Sequence, residues 1–212
     1  MTPRPRVTLC ASEAHDAFAR AVAAWLSACD CGWRTPGDAL DGDVALVTSD
    51  VSEPSGRSEL EQALGVFARA GGAVLGVGAG AAFLCAAGLL PGAVTTTPPG
   101  ETTHLRVEGR ATPFTWAIPA GRILPRPDVP SAFSYVATAE VLSAIVARGG
   151  ILVRHCDVAG GVRGDASSVA GWCDESGRIV GLVGALALDV AALGSAFARQ
   201  LAGCVESARP RV

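Results

Sequence analysis

Residues 73–94 read Ala-Val-Leu-Gly-Val-Gly-Ala-Gly-Ala-Ala-Phe-Leu-Cys-Ala-Ala-Gly-Leu-Leu-Pro-Gly-Ala-Val. An apolar run from Ala73 to Val77 meets three alternate glycines, Gly76, Gly78 and Gly80. An alanine-rich stretch follows that can be helical until Gly88, and Pro91 closes it. A buried strand turning sharply into a helix needs such glycines, because the backbone passes close to itself with no room for a Cβ. In hydrolases built on this turn, the middle position of G-x-X-x-G carries the nucleophile. Here that position is Gly78, so the turn is present and the attacking side chain is not. The amides of Ala79 to Ala81, opening the predicted helix, could hold an anion, although backbone necessity accounts for the same glycines. The spacing is not a dinucleotide fingerprint, and no acid follows at the distance one would require.

Other reactive side chains are scattered. Cys85 falls about two turns into the predicted helix, where packing competes with a nucleophilic role. Arg154-His155-Cys156-Asp157 is the one compact reactive set, and it reads more readily as a strand leaving the core with polar residues at its rim. His15-Asp16 opens a helix, where the dipole already explains the acid. Arg106, Arg110, Arg122 and Arg126 could line an anion site, but dispersed arginines are ordinarily solvated. The seven cysteines (10, 29, 31, 85, 156, 173, 204) show no metal-ligand spacing beyond Cys29-x-Cys31. We therefore expect reduced, mostly buried thiols, no metal centre and no cofactor. All 17 basic residues are arginine, which excludes lysine chemistry and fits GC-rich bacterial coding.

The elements that must position this turn follow from periodicity. Arg6–Cys10 and Asp43–Thr48 read as strands, and His15–Cys29 as an amphipathic helix. Ser58 with Glu61 makes a capping box ahead of a stripe formed by Leu60, Leu64 and Phe67, ended by Gly71-Gly72. This alternation of strand and helix predicts a parallel sheet covered on both faces. Later come short strands at Thr102–Glu108, Phe114–Ile118, Arg122–Leu124, Phe133–Thr138, Ile151–His155, Ser168–Cys173 and Arg178–Leu182. A helical stretch is expected over Glu140–Arg148, a hairpin turn at Ser176-Gly177, and a last helix from Asp189 to Cys204. We expect one α/β domain over residues 1–212, frayed at about 1–4 and 206–212.

Net charge is −3 with no basic block, which argues against nucleic acid as a partner. No stretch reaches the roughly 18 uninterrupted apolar residues of a membrane span, and no signal-peptide pattern stands out, so a cytoplasmic location is expected.

Gly76–Val94, ending Gly-Leu-Leu-Pro-Gly-Ala-Val, resembles the nucleophile-elbow segment of class I glutamine amidotransferases. Within them it resembles the branch of small glutaminase subunits of phosphoribosylformylglycinamidine synthase, a purine-pathway enzyme. Leu105–Glu108 with Thr112–Thr115, and Val169–Leu182, are similar to that branch in order and spacing. The resemblance implies a flavodoxin-like class I amidotransferase fold: a central, mostly parallel sheet, helices on both faces and added antiparallel strands. It also implies glutamine hydrolysis by a Cys-His-Glu triad. Carried onto this chain, the cysteine position is Gly78, the histidine position Ala185 and the glutamate position Ala187. The oxyanion loop falls near Thr48-Ser49-Asp50, without its glycines, and the family's His-Gly-Glu-Gly segment falls around Asp128–Ser131, also rewritten.

With nucleophile, base, orienting acid and oxyanion loop all replaced, the expectation is a pseudo-glutaminase. It would bind a protein partner, either a synthetase-type subunit or another copy of itself. The candidate pocket comprises Gly76, Gly78, Ala79, Gly80, Ala81, Ala82, Ser49 and Asp50, with Cys85 and His155 as further reactive candidates. An enzyme with replaced chemistry, using a pocket widened at Gly78, Ala81, Ala82, Ala185 and Ala187 to take a small metabolite, is the alternative. An active glutaminase is the reading that simple resemblance would assign.

Overall fold

The computed structural model describes residues 6–10, 32–34, 40, 42, 44–48, 54–97, 104–109, 112, 115, 119–124, 133–157, 159–162 and 164–183. The helices expected over His15–Cys29 and Asp189–Cys204 lie outside the described residues.

The first half alternates as its periodicity requires. Strands β1 (Arg6–Cys10), β2 (Gly32–Arg34) and β3 (Val44–Val47) precede helix α1 (Pro54–Arg69), strand β4 (Ala73–Val77) and helix α2 (Ala79–Ala86). Strands β1, β3 and β4 run parallel, with Val7 opposite Val44 and Val47 opposite Gly76. Val44 to Val47 and Ala73 to Val77 are buried throughout, which is why these strands read as continuous apolar runs rather than alternating ones. Leu64 and Phe67 of α1 are buried, as the stripe implies.

The start of α1 differs from expectation. The helix begins at Pro54, so Ser58 lies inside it instead of capping it. Proline's fixed φ suits the first helical turn, where its missing N–H is not needed, and this overrides the capping-box signal downstream.

After α2 come β5 (Ala93–Thr96), β6 (His104–Val107), β7 (Ile123–Leu124), β8 (Phe133–Val136), helix α3 (Ala139–Ala147), β9 (Ile151–Cys156), β10 (Val169–Cys173) and β11 (Ile179–Leu182). Among the described residues the main sheet has the order β2-β1-β3-β4-β11-β10-β9-β6-β7. Pairings from β2 to β11 are parallel, and those from β11 to β7 are antiparallel. The expected β10–β11 hairpin forms, with Gly177 at φ 70° in its turn. Asp174 holds that turn by accepting from Ser176 N, Ser176 Oγ and Ile179 N. Thr138 leaves the expected strand to cap α3, its Oγ1 accepting from Val141 N at 3.3 Å. At Thr115, within the strand expected over Phe114–Ile118, the backbone turns instead, with N–H donated to Thr112 O.

Strand β5 was not anticipated. It pairs with β8 in a separate two-stranded sheet, and its mostly exposed residues carry no apolar alternation to betray it. Trp172 of β10 is fully buried, and its ring packs at a 45° tilt against that of Tyr135 of β8, the centroids 4.4 Å apart. Both side chains donate to the carbonyl of Pro91, Trp172 Nε1 at 3.0 Å and Tyr135 OH at 3.4 Å. The Gly-Leu-Leu-Pro-Gly tail of the elbow segment therefore has a structural task. Gly88, at φ 68°, ends α2; Leu90 is buried; Pro91 offers its carbonyl to the two aromatic residues.

Candidate functional site

The carboxyl ends of β3, β4 and β11 come together at one edge of the sheet, the place where parallel sheets carry their sites. Strand β4 leaves through Gly78, whose φ of 57° and ψ of −115° make the sharp strand-to-helix turn. Gly78 N–H donates to Leu182 O at 2.8 Å and its carbonyl accepts from Ala82 N at 3.1 Å, so neighbouring strand and helix both fix the turn. A side chain in so sparsely populated a backbone region costs on the order of 1–3 kcal/mol, and glycine avoids that cost. The strained geometry that would present a nucleophile is kept while the nucleophile is absent.

Close packing fixes the flanking glycines. A Cβ on Gly76 would lie 2.9 Å from Ala81 N, and one on Gly80 would collide with the backbone carbonyl of Val47. Helix α2 thus lies directly on β4 and on the end of β3. Ala81 is fully buried in the core and Gly80 is buried, whereas Gly78, Ala79 and Ala82 are half-buried. Of the expected pocket residues, the structure gathers Gly76, Gly78, Ala79, Gly80, Ala81 and Ala82 into this one turn. Ser49, Asp50, Ala185 and Ala187 lie outside the described residues. Leu182, the last residue of β11, is in register with Val77 and so stands beside Gly78.

One residue of the site had no signal in the sequence. A Cβ built on Gly78 would lie 3.2 Å from Cε2 and 3.3 Å from Cδ2 of Phe133 on β8. The Phe133 ring therefore lies against the place where a nucleophile's side chain would begin.

Reactive groups elsewhere are separated. Cys85 of α2 is half-buried and packs against the core, and burial pushes its thiol up to about 12. Seven residues of helix place it about 10 Å along the axis from the turn. A thiol raised in this way is the opposite of an activated nucleophile.

On β9, strand alternation puts His155 on the face opposite Arg154 and Cys156, because His155 is paired with Leu105 and Arg154 with Arg106. Arg154 is buried and donates to Ser168 Oγ at 2.6 Å and Asp165 O at 3.3 Å. Arg106 is held by Glu108 at 2.7 Å and by Gly160 O at 2.8 Å. These arginines pin the segment after β9 to the sheet. Cys156 is buried and its thiol is raised, chiefly by burial and with Arg106 opposing. Arg122 is exposed, while Arg110 and Arg126 lie outside the described residues, as do His15, Cys29, Cys31 and Cys204. Among the described residues no group of three or more His, Cys, Asp or Glu side chains could hold a metal ion, and no helix is long and apolar enough to cross a membrane.

No family model matches the chain. It is 34% identical over 137 residues to the phosphoribosylformylglycinamidine synthase subunit PurQ of Rhodopseudomonas palustris (strain BisB18), covering 60% of this chain and 59% of that one. Similarity to the subunits of the same name from Synechococcus sp. (strain JA-3-3Ab) and Frankia casuarinae is 38% over 117 and 130 residues. These alignments cover 53% and 59% of this chain, and 51% and 55% of the relatives. The chain thus matches a little over half the length of these curated relatives.

Among solved structures, a chain of PurLQS from Thermotoga maritima superposes with a TM-score of 0.70 at 21% identity, over 97% of this chain and 99% of that one. A glutamine amidotransferase from Thermotoga maritima gives a TM-score of 0.54 at 10% identity, over 97% of this chain and 96% of that one. By its sheet, its elbow and these likenesses, the chain is similar in fold to class I glutamine amidotransferases.

Proposed function

We propose that this chain is a pseudo-glutaminase: a class I amidotransferase-like subunit without glutamine hydrolysis that acts by binding a synthetase-type partner. The observation that carries the reading is the elbow. Its backbone is kept in the geometry that presents a nucleophile, and glycine occupies the apex at position 78. The alanines at positions 185 and 187, where the resemblance places the base and its orienting acid, agree with this. Removing one triad member alone costs several orders of magnitude in rate. A scaffold retained after its chemistry is lost retains its surfaces, and the relatives are named as subunits of a synthase. The alternative of replaced chemistry in a widened pocket draws no support from the turn, where Ala81 belongs to the core and the Phe133 ring abuts Gly78.

The test has two arms, with the full chain purified alone and co-expressed with the synthetase-type protein of its own organism. Glutamine hydrolysis should stay at buffer background in both, and native mass spectrometry should find a stoichiometric complex. Hydrolysis above background overturns the inactive reading, and the absence of any complex overturns the binding role.

A further inference from the structure

We propose that Phe133 is a steric plug of the former nucleophile position, so that the site is narrowed against a carboxamide side chain as well as stripped of its nucleophile. This rests on reading Gly78 as that position. Three observations converge on it. The ring edge lies 3.2–3.3 Å from where a Cβ on residue 78 would be, tighter than ordinary van der Waals contact. Phe133 is half-buried and packs against the main core, so the ring is supported from behind. Its backbone is fixed by the β5–β8 pairing, with Thr96 opposite Phe133 and Thr95 opposite Ser134, and by the 3.1 Å contact between Thr97 Oγ1 and Ser134 Oγ.

The consequence is chemical. Attack on an amide carbonyl needs the nucleophile and the carbon about 3–3.5 Å apart along an open approach. With a ring already in contact with the Cβ position, the approach of a γ-carboxamide to an atom attached there is narrowed on the β8 side. A sulfur restored at residue 78 is therefore slow to react until the ring is removed.

The experiment introduces a thiol with Gly78→Cys, alone and together with Phe133→Ala, in the full chain. The rate of alkylation by iodoacetamide, itself a small carboxamide, is followed by mass spectrometry. Fragmentation of the tryptic peptide spanning residues 70–106 separates label at position 78 from label at Cys85. The thiol at position 78 should label about tenfold faster in the double variant, equivalent to ~1.4 kcal/mol of obstruction. Equal rates in the two backgrounds overturn the plug.

Should Gly78→Cys fail to fold, a second measurement decides. The urea midpoint lost on Gly78→Ala is compared in the wild-type and Phe133→Ala backgrounds. A smaller loss without the ring supports the plug, and identical losses overturn it. Glutamine hydrolysis by the unmodified protein would instead remove the pseudo-glutaminase reading beneath the proposal, an outcome separate from equal labelling.

Discussion

Gly80→Ala separates helix propensity from tertiary packing, because the two predict opposite signs. Gly80 is the second residue of α2, and propensity alone makes alanine there more stable than glycine by about 1 kcal/mol. In the fold, the added methyl would lie far inside 3.0 Å of the Val47 carbonyl oxygen and 3.0 Å from Thr48 N. Neither neighbour can turn away. Val47 belongs to β3, which is held between β1 and β4, and Thr48 N donates to Cys10 O at 3.2 Å. Relief must come from α2 withdrawing from the sheet, which partly exposes Phe83 and Leu84, now 1% and 0% exposed. Full burial of each such side chain contributes about 1.5–3 kcal/mol, and overpacking of a rigid site costs about 1–3 kcal/mol. Partial loss of the first with the second gives a net destabilisation of about 3 kcal/mol after the helix gain is subtracted.

The assay is urea unfolding followed by far-UV circular dichroism, extrapolated linearly to water. Gly88→Ala is the control: Gly88 has φ 68° but nothing within contact distance of an added Cβ, so only the conformational cost of about 1–2 kcal/mol remains. Gly80→Ala as stable as the parent, or no less stable than Gly88→Ala, would refute the close-packing argument.

Thr8 is 1% exposed and, among the described residues, its Oγ1 has no hydrogen-bond partner; Thr8→Val should raise stability by about 1 kcal/mol in the same urea assay. Trp172→Phe removes the shorter donor to Pro91 O and leaves a cavity, so it should cost about 3 kcal/mol. Tyr135→Phe, losing only the 3.4 Å bond, should cost under about 1 kcal/mol, and the two midpoints compared decide this. Burial raises Cys10 and Cys85 from 9.0 to about 12, and Cys173 to about 11. Because the folded values lie above the unfolded one, the stabilisation is complete below about pH 9 and is lost as pH rises toward these folded values. For Cys10 the loss is on the order of 1 kcal/mol by about pH 10, readable as lower urea midpoints at about pH 10 than at about pH 8 under reducing conditions.

Much of this was legible because it is local. The burial of β3 and β4 follows from their apolar runs, and α1's core face from Leu64 and Phe67. The β10–β11 turn follows from Ser176-Gly177 and the abrupt elbow from its alternate glycines. Periodicity and a demand for positive φ are properties of neighbouring residues, so they survive in the bare sequence. Strand β5 escaped because it is mostly exposed and gains its order from pairing with β8. The capping box misled because Pro54, a few residues earlier, starts the helix on equally good local grounds.

By itself, then, the sequence determined that a strand turns sharply into a helix at Gly78 and that nothing nucleophilic stands at the apex. Tertiary structure decided what stands there instead. The Phe133 ring at Gly78, the Val47 carbonyl under Gly80, and the shared Pro91 carbonyl between Tyr135 and Trp172 each join residues far apart along the chain. Such meetings depend on the order of strands across the sheets and on the register of β5 with β8. No window of neighbouring residues encodes them, because contacts between distant segments are set only when the whole core closes.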